Sequence, residues 1–303
     1  MVHNLNQSSL EGKHAVVFGA GYIGGRFAAV ALALGARVTA LTRNLDKAEA
    51  LGRLGCDVVV NEIQSSDWHA KIPRADFVLN AVGSGGGGDS GYRNSYLLGT
   101  RSICRWASVA DCVGHLVYTG STSVYPRGDG AIVRESDPIA ASNPRTQTLI
   151  DTELQMAAWR GPKTILRLAG IYGPGRHHLL NQILQSHGEP LAGLPEHRLN
   201  LIHREDVVSA LIQVANNCSQ ANGEIYNLAD DSAPTRRELV VWMCERLGRN
   251  VPVFSGRPAE GRRRVTPNRV ISNERIKSAL GWAPKYPSFR DGFAEIIANL
   301  PSR

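Results

Sequence analysis

Cysteine is scarce in this chain of 303 residues: the five present, Cys56, Cys104, Cys112, Cys218 and Cys244, are an odd number and include no CxxC pair. A disulfide framework or a thiolate metal site needs paired or closely spaced cysteines, so reduced and mostly buried thiols are expected, and no metal. Long apolar runs are also missing. None approaches the roughly 20 residues that a membrane span requires, which excludes a transmembrane reading. The opening MVHNLNQSSLEGK has no apolar core behind a basic start and does not read as a secretory signal, so a cytoplasmic location is expected. Acid is in deficit, with 27 Asp and Glu against 34 Lys and Arg and a net charge of +7. The bases are dispersed except between Arg257 and Arg269, where Arg262, Arg263 and Arg264 adjoin. No nucleic-acid-binding motif accompanies them, and a small anionic ligand explains the cluster at least as well, so neither nucleic acid nor membrane is an expected partner.

What is present reads as an ordinary globular chain, 43% hydrophobic and 20% charged. Its length allows one large α/β domain, or a core domain with a smaller appendage. The segment HAVVFGAGYIGGRFAAVALALGARVTALTRN passes from a short apolar strand through glycines into helical spacing and a second strand, which is a β-α-β unit. Further apolar strands are expected at Asp57 to Val60, Asp76 to Asn80, His115 to Thr119 and Lys163 to Arg167, each separated by a helix-length segment. This alternation predicts an α/β fold with a doubly wound parallel Rossmann sheet. Successive glycines between Gly83 and Gly91 predict a loop at the carboxyl edge of that sheet, where ligands bind in open α/β folds. Beyond Tyr172 the pattern loosens. The expected organisation is a dinucleotide-binding domain over residues 10–170, with residues 199–230 packing back onto it, and a smaller, interleaved C-terminal substrate-facing lobe within 171–303.

The glycines Gly19, Gly21 and Gly24 of GAGYIG have the GxGxxG spacing, after a strand and before a helix. The first permits a tight turn, the second lets the backbone approach a pyrophosphate, and the third allows close helix packing. The intervening Tyr22 and Ile23 are carried to the same place. At the end of the second strand an NAD site usually has an acidic residue for the ribose hydroxyls, whereas this chain reads Leu41, Thr42, Arg43, Asn44. Arg43 offers a bidentate cation to a 2′-phosphate, and no carboxylate is expected close by, so NADP is favoured over NAD. Asn80, Ala81 and Val82 at the end of the fourth strand, and Leu168 at the end of a later one, complete the expected cofactor-binding set.

Several segments, in order, resemble the extended short-chain dehydrogenase/reductase superfamily, specifically an atypical branch of NAD(P)-dependent epimerase/dehydratase-like proteins. They are GAGYIG, Asn80-Ala81, YTGSTSVYP, RLAGIYGPGR, LIHREDVVSAL, EIYNLADDSAPTRREL and ALGWAPKYPSF, and together they span nearly the whole chain. The resemblance implies a catalytic serine at Ser121, a nucleotide diphosphate held near Arg262 to Arg264, and permits a homodimer through the fourth and fifth helices. It also implies a YxxxK pair, but the matching positions hold Arg145 and Leu149, eight and four residues before Glu153. A tyrosine there would exchange the proton at the reacting oxygen and a lysine would lower its pKa; leucine does neither.

Substitute acids implied by the same segments are Tyr125 and Tyr172, with Arg145 able to bind an anion or polarise a carbonyl, and His177 and His178 following the GPG loop. His203, Glu205 and Asp206 read better as the start of a helix than as an acid/base or metal site. The expected activity is an NADP(H)-dependent oxidoreductase or epimerase acting on a carbonyl or secondary alcohol of a small polar metabolite, anionic and nucleotide-sugar-like. The alternative is a catalytically silent NADP-binding sensor, which the missing YxxxK supports.

Overall fold

The computed structural model describes residues 10–72, 74–84, 86–109, 112–186, 189–257 and 267–300. Its centre is a seven-stranded parallel sheet of β1 (His14–Phe18), β2 (Arg37–Thr42), β3 (Asp57–Val60), β4 (Ala75–Asn80), β5 (Val113–Ser121), β7 (Lys163–Leu168) and β10 (Ile225–Leu228). Two small parallel pairs lie beside it, β6 (Asp129–Val133) with β11 (Asn268–Ile271) and β8 (Gly170–Tyr172) with β9 (Leu201–His203). The helices are α1 (Gly24–Ala33), α2 (Leu45–Leu54), α3 (Gly88–Arg93), α4 (Gly99–Ala107), α5 (Pro144–Ala158), α6 (His178–Gln185), α7 (Arg204–Asn216), α8 (Cys218–Ala221), α9 (Arg236–Leu247), α10 (Glu274–Leu280) and α11 (Phe289–Ala298).

Spatial order in the main sheet is β10-β7-β5-β4-β1-β2-β3. The chain runs outward from β1 to β3, then crosses back to β4 on the other side of β1. Such a reversal opens a crevice beyond the carboxyl ends of β1 and β4, the usual ligand position in doubly wound sheets.

The strand side chains alternate between two covered faces, as a parallel sheet requires. Ala15 and Val17 of β1 pack with Phe27, Ala28 and Ala31 of α1 and with Val207, Leu211 and Val214 of α7. Val16 and Phe18 point the other way, into a cluster with Trp68, Ile103 and Trp106. There Phe18 meets the two indoles at centroid distances of 4.9 and 5.7 Å. A third apolar cluster joins α6, α9 and α11 through Leu180, Ile183, Leu239, Met243, Phe289 and Phe293, with Tyr172 at its margin. Burying a fully covered side chain of this size contributes about 1.5–3 kcal/mol, so these clusters hold the helices on the sheet.

The glycine-rich segment departs from the loop expected over Gly83 to Gly91: α3 already begins at Gly88. Three successive glycines, Gly86, Gly87 and Gly88, take positive φ of 88°, 75° and 63° and turn the chain into the helix. Gly91 is then required inside it, because a Cβ there would stand 1.9 Å from the Gly86 carbonyl oxygen. Tertiary packing overrides the poor helix propensity of glycine here, since α3 continues through a π turn over Asn94–Leu98 into α4 and lies against α5. The cysteines are free thiols, with Cys56, Cys104 and Cys244 buried. No helix among the described residues is long and apolar enough to cross a membrane.

Candidate functional site

The crevice at the strand reversal is a cavity of about 960 Å³, near the upper end of the range usual for small-molecule sites. Its wall is built from strand ends: Gly19 to Ile23 after β1, Leu41 to Asn44 after β2, Asn61 to Gln64 after β3, Ala81 to Ser84 after β4, and Thr119 with Gly120 at the end of β5. Leu168, Ile171 and Arg176 close one end, and Asn94, Ser95 and Tyr96 of the π turn form part of the wall.

The glycine turn has the shape of a phosphate cradle. Gly19 takes φ +83°, and a Cβ on it would stand 2.6 Å from the Ala81 carbonyl oxygen and from Val82 backbone atoms. A Cβ on Gly24 would meet the Gly19 carbonyl oxygen at 2.4 Å, so only glycine lets α1 start this close to β1. Gly21 is different. Its missing side chain leaves open space, the nearest atom to a Cβ being the Gly19 oxygen at 4.0 Å. Helix α1 then begins without a side-chain cap and without an acidic residue in its first turn. Uncapped N–H groups and the positive end of the helix dipole make that start a ready anion site. A pyrophosphate therefore fits the residues present.

The end of β2 brings a correction. Arg43 was expected to have no carboxylate near it, yet Glu62 Oε1 stands 3.7 Å from its NH1. The cause is sheet order: β3 is the parallel neighbour of β2, so the segment after Val60 emerges beside Arg43. Both side chains are about half exposed, at 52% and 49%, and a pair of that kind holds its partners weakly. Lys47, one turn into α2, lines the same corner of the cavity. Asn44 caps α2 by accepting from the Lys47 N–H at 2.8 Å.

Of the residues expected to hold a dinucleotide, Gly19, Gly21, Tyr22, Ile23, Thr42, Arg43, Ala81, Val82 and Leu168 form the wall. Gly24 and Asn80 stand one layer behind it. Asn80 donates to Thr100 Oγ1 at 2.9 Å, while its buried side-chain oxygen has no partner.

The expected catalytic residues are not gathered in this way. Ser121 follows the wall residue Gly120 and is in register with Leu168; its hydroxyl accepts from the Ser123 N–H at 3.2 Å. Tyr125 is fully buried behind the wall, its hydroxyl donating to Asn227 Oδ1 at 2.8 Å and accepting from Arg167 at 2.7 Å. Arg145 is exposed on α5, paired with Asp89 at 2.9 Å, and Leu149 is buried. Tyr172 is buried against Phe293, the rings 4.6 Å apart. His177 Nδ1 is 3.3 Å from the Gly173 carbonyl oxygen. His203 caps α7 by accepting from the Glu205 N–H, Glu205 pairs with Arg26 and Arg204, and Asp206 accepts from the Lys285 and Tyr286 N–H groups. Arg262, Arg263 and Arg264 lie outside the described residues.

Among the wall residues that escaped sequence reasoning are Lys47, Glu62, Tyr96 and Arg176. Tyr96 carried a weak signal, since Tyr92 and Tyr96 are one helical turn apart in a segment following a glycine run. Arg176 ends the GPGR string. Tyr22 lies between Arg176 and Arg204, whose guanidinium carbons are 5.4 and 5.0 Å from its ring centroid.

A family model for the NAD dependent epimerase/dehydratase family matches residues 15–229. The chain belongs to that family. It is 28% identical over 289 residues to "Protein YeeZ" of Escherichia coli (strain K12), covering 91% of this chain and 97% of the relative. It is 26% identical over 299 residues to a dTDP-6-deoxy-L-talose 4-dehydrogenase (NAD(P)(+)) of Kitasatospora kifunensis, covering 89% and 90% of the two chains. The solved structure of dTDP-glucose 4,6-dehydratase from Bacillus anthracis, in complex with NAD, superposes with a TM-score of 0.79 over 94% of this chain and 96% of that one. At 19% identity that likeness shows the family fold.

Proposed function

We propose that the chain is an NADP(H)-dependent oxidoreductase or epimerase acting on a carbonyl or secondary alcohol of a small, polar, nucleotide-sugar-like metabolite. The observation that carries the reading is the single crevice in which the glycine cradle, the Arg43 corner and the end of β5 meet. Gly19, Gly21 and the start of α1 would hold a pyrophosphate, and Ala81 and Val82 would flank the adenosine side. Arg43, with Lys47 beside it, would hold the 2′-phosphate. The dinucleotide, when bound, supplies hydride exchange at its nicotinamide ring. Leu168, Thr119 and Gly120 would flank that ring, and Ser121, next in sequence to Gly120, would orient the substrate oxygen. Relatives whose names specify nucleotide sugars support the substrate class.

Two titrations of NADPH and NADH, followed by fluorescence, test the cofactor half. Arg43→Ala should weaken NADPH by about 1–3 kcal/mol, the worth of a charge-assisted contact to phosphate, and NADH by much less. Equal losses would show that Arg43 does not read the extra phosphate. Glu62→Gln should act in the opposite direction, tightening NADPH by about two- to fivefold because it frees Arg43 from a competing, weakly held carboxylate. For the reaction half, NADPH oxidation is followed across aldehydes, ketones and nucleotide sugars, with Ser121→Ala lowering any turnover found.

One observation favours a second reading, a catalytically silent sensor of the cofactor. By the resemblance, the positions of the family's tyrosine and lysine fall on Arg145 and Leu149, and Leu149 is buried in the core. Tight NADPH binding without turnover on that panel would select the sensor.

A further inference from the structure

Tyr92 and Tyr96 stack, their ring centroids 4.4 Å apart and their planes 29° from parallel. The π turn over Asn94–Leu98 carries Tyr96 into the cavity wall. Such an inserted turn is rare in helices and recurs at functional sites.

The other acidic groups on that wall have different commitments. Tyr22 donates its hydroxyl proton to the Pro174 carbonyl oxygen at 3.1 Å, and Glu62 stands with Arg43 at the β2 corner. Tyr125 and Tyr172 are not part of the wall. Tyr96 remains, on the same wall as Thr119 and Gly120 at the end of β5 and as Arg176.

Its electrostatic surroundings pull in two directions, with burial the stronger. Burial raises the Tyr96 phenol above its ordinary value, while the Tyr92 hydroxyl and the Arg176 guanidinium pull it back. Tyr92 is raised by burial and raised further by Tyr96. Arg145, with its guanidinium carbon 5.5 Å from the Tyr92 ring centroid, braces the outer member of the pair.

We propose that Tyr96 exchanges the proton with the substrate oxygen in this cavity, and that Arg176 is the cation that steadies its phenolate. The inference rests on the dinucleotide reading above. In the reducing direction the substrate carbonyl carbon accepts hydride from a reduced nicotinamide dinucleotide, and the C=O π pair moves to oxygen. That oxygen takes the phenolic proton of Tyr96, and the phenolate recovers a proton from water. Oxidation of an alcohol runs the same transfers backwards.

The test uses the full chain labelled with 3-fluorotyrosine, the Tyr96 resonance being assigned by its loss in Tyr96→Phe and followed by ¹⁹F NMR against pH. Oxidised nicotinamide carries a positive charge that the reduced ring lacks, so a phenol beside it should titrate about one pH unit lower with NADP⁺ than with NADPH. Arg176→Ala should move the midpoint up by a similar amount. Tyr96→Phe should bind NADPH within about threefold of the parent and lose about 10²–10⁴-fold in kcat on any carbonyl the panel shows to be reduced. If NADPH binds but the Tyr96 midpoint is the same with both cofactor forms, or if Tyr96→Phe keeps full turnover, Tyr96 is not the proton-exchanging group. Failure of NADPH to bind at all overturns the dinucleotide reading itself. Where no compound on the panel turns over, the NMR midpoints decide alone.

Discussion

Arg167→Met should lower the free energy of unfolding by about 3–5 kcal/mol, the usual loss when one partner of a buried ion pair is removed. Arg167 and Glu153 have side chains only 4% and 6% exposed. The guanidinium donates to the Glu153 carboxylate from Nε at 3.0 and 3.2 Å and from NH2 at 2.7 Å, and from NH1 to the Tyr125 hydroxyl at 2.7 Å. Tyr125 passes the network on to Asn227, and its ring lies between two guanidinium groups, those of Arg167 and Arg269, at 4.9 and 6.0 Å. Methionine fills the space but leaves the Glu153 carboxylate buried without its cation. Pairing the substitution with Glu153→Leu removes both charges and should recover most of the loss, because two apolar groups of similar volume often replace a buried pair at little net cost. Urea unfolding of the parent, the two single variants and the double variant gives the coupling directly. A loss below about 1 kcal/mol in Arg167→Met alone would mean that the pair behaves as an exposed one does. The network also bears on the site, since Arg269 donates to the Thr122 carbonyl oxygen at 2.7 Å and to that of Tyr125, fixing the loop that begins at Ser121.

Legibility in the sequence followed the range of the interaction responsible. The strand Asp57 to Val60 was readable to the residue from its run of valines, although it is a partly exposed edge strand, and those at Asp76, His115 and Lys163 were readable to within two residues at either end because buried parallel strands are continuous apolar runs. Strands β6, β8, β9 and β11 left no such trace, because each lies outside the main sheet and exists only through one partner far along the chain. GAGYIG was legible because backbone geometry alone demands glycine at Gly19 and Gly24. Glu62 was not, since its approach to Arg43 depends on β3 lying next to β2. The start of α3 at Gly88 was hidden for the same reason: what stabilises a helix of glycines is its packing on α5, not its own propensity. Tyr125 illustrates the converse. Its place four residues after Ser121 suggested chemistry, while the residues that bind it in the core, Arg167, Asn227 and Arg269, lie 42, 102 and 144 residues away.

Asp230→Asn should flatten the dependence of stability on pH between about pH 4 and pH 7, and should make the protein more stable than its parent at pH 8. Asp230 is 4% exposed, just beyond β10. Its Oδ1 accepts from the Ser232 N–H at 3.1 Å and hydroxyl at 3.0 Å, but its Oδ2 is buried without a partner. Burial pushes the carboxyl up to about 7, against the pull of the two Ser232 hydrogen bonds. The sign follows from proton counting. With a folded pKa above the unfolded one, the native state holds the extra proton between about pH 4 and pH 7, so stability falls as pH rises through that window and the penalty is complete above it. A shift from 3.8 to about 7 corresponds to a penalty of at most about 4 kcal/mol. Asparagine removes the charge while keeping the shape. Its amide group sits where Oδ2 was, and removal of the charge also relieves Tyr172, whose phenol is raised by burial first and by Asp230 next. If that amide finds no acceptor, about 1–3 kcal/mol is lost at every pH, leaving a net stabilisation of about 1–3 kcal/mol at pH 8 and a net destabilisation of about 1–3 kcal/mol at pH 4. A residual slope of the same sign belongs to Asp206, which burial pushes up to about 6. Urea unfolding at several pH values separates the two contributions, and curves for parent and variant that run parallel from pH 4 to pH 8 would show that Asp230 does not titrate in this window.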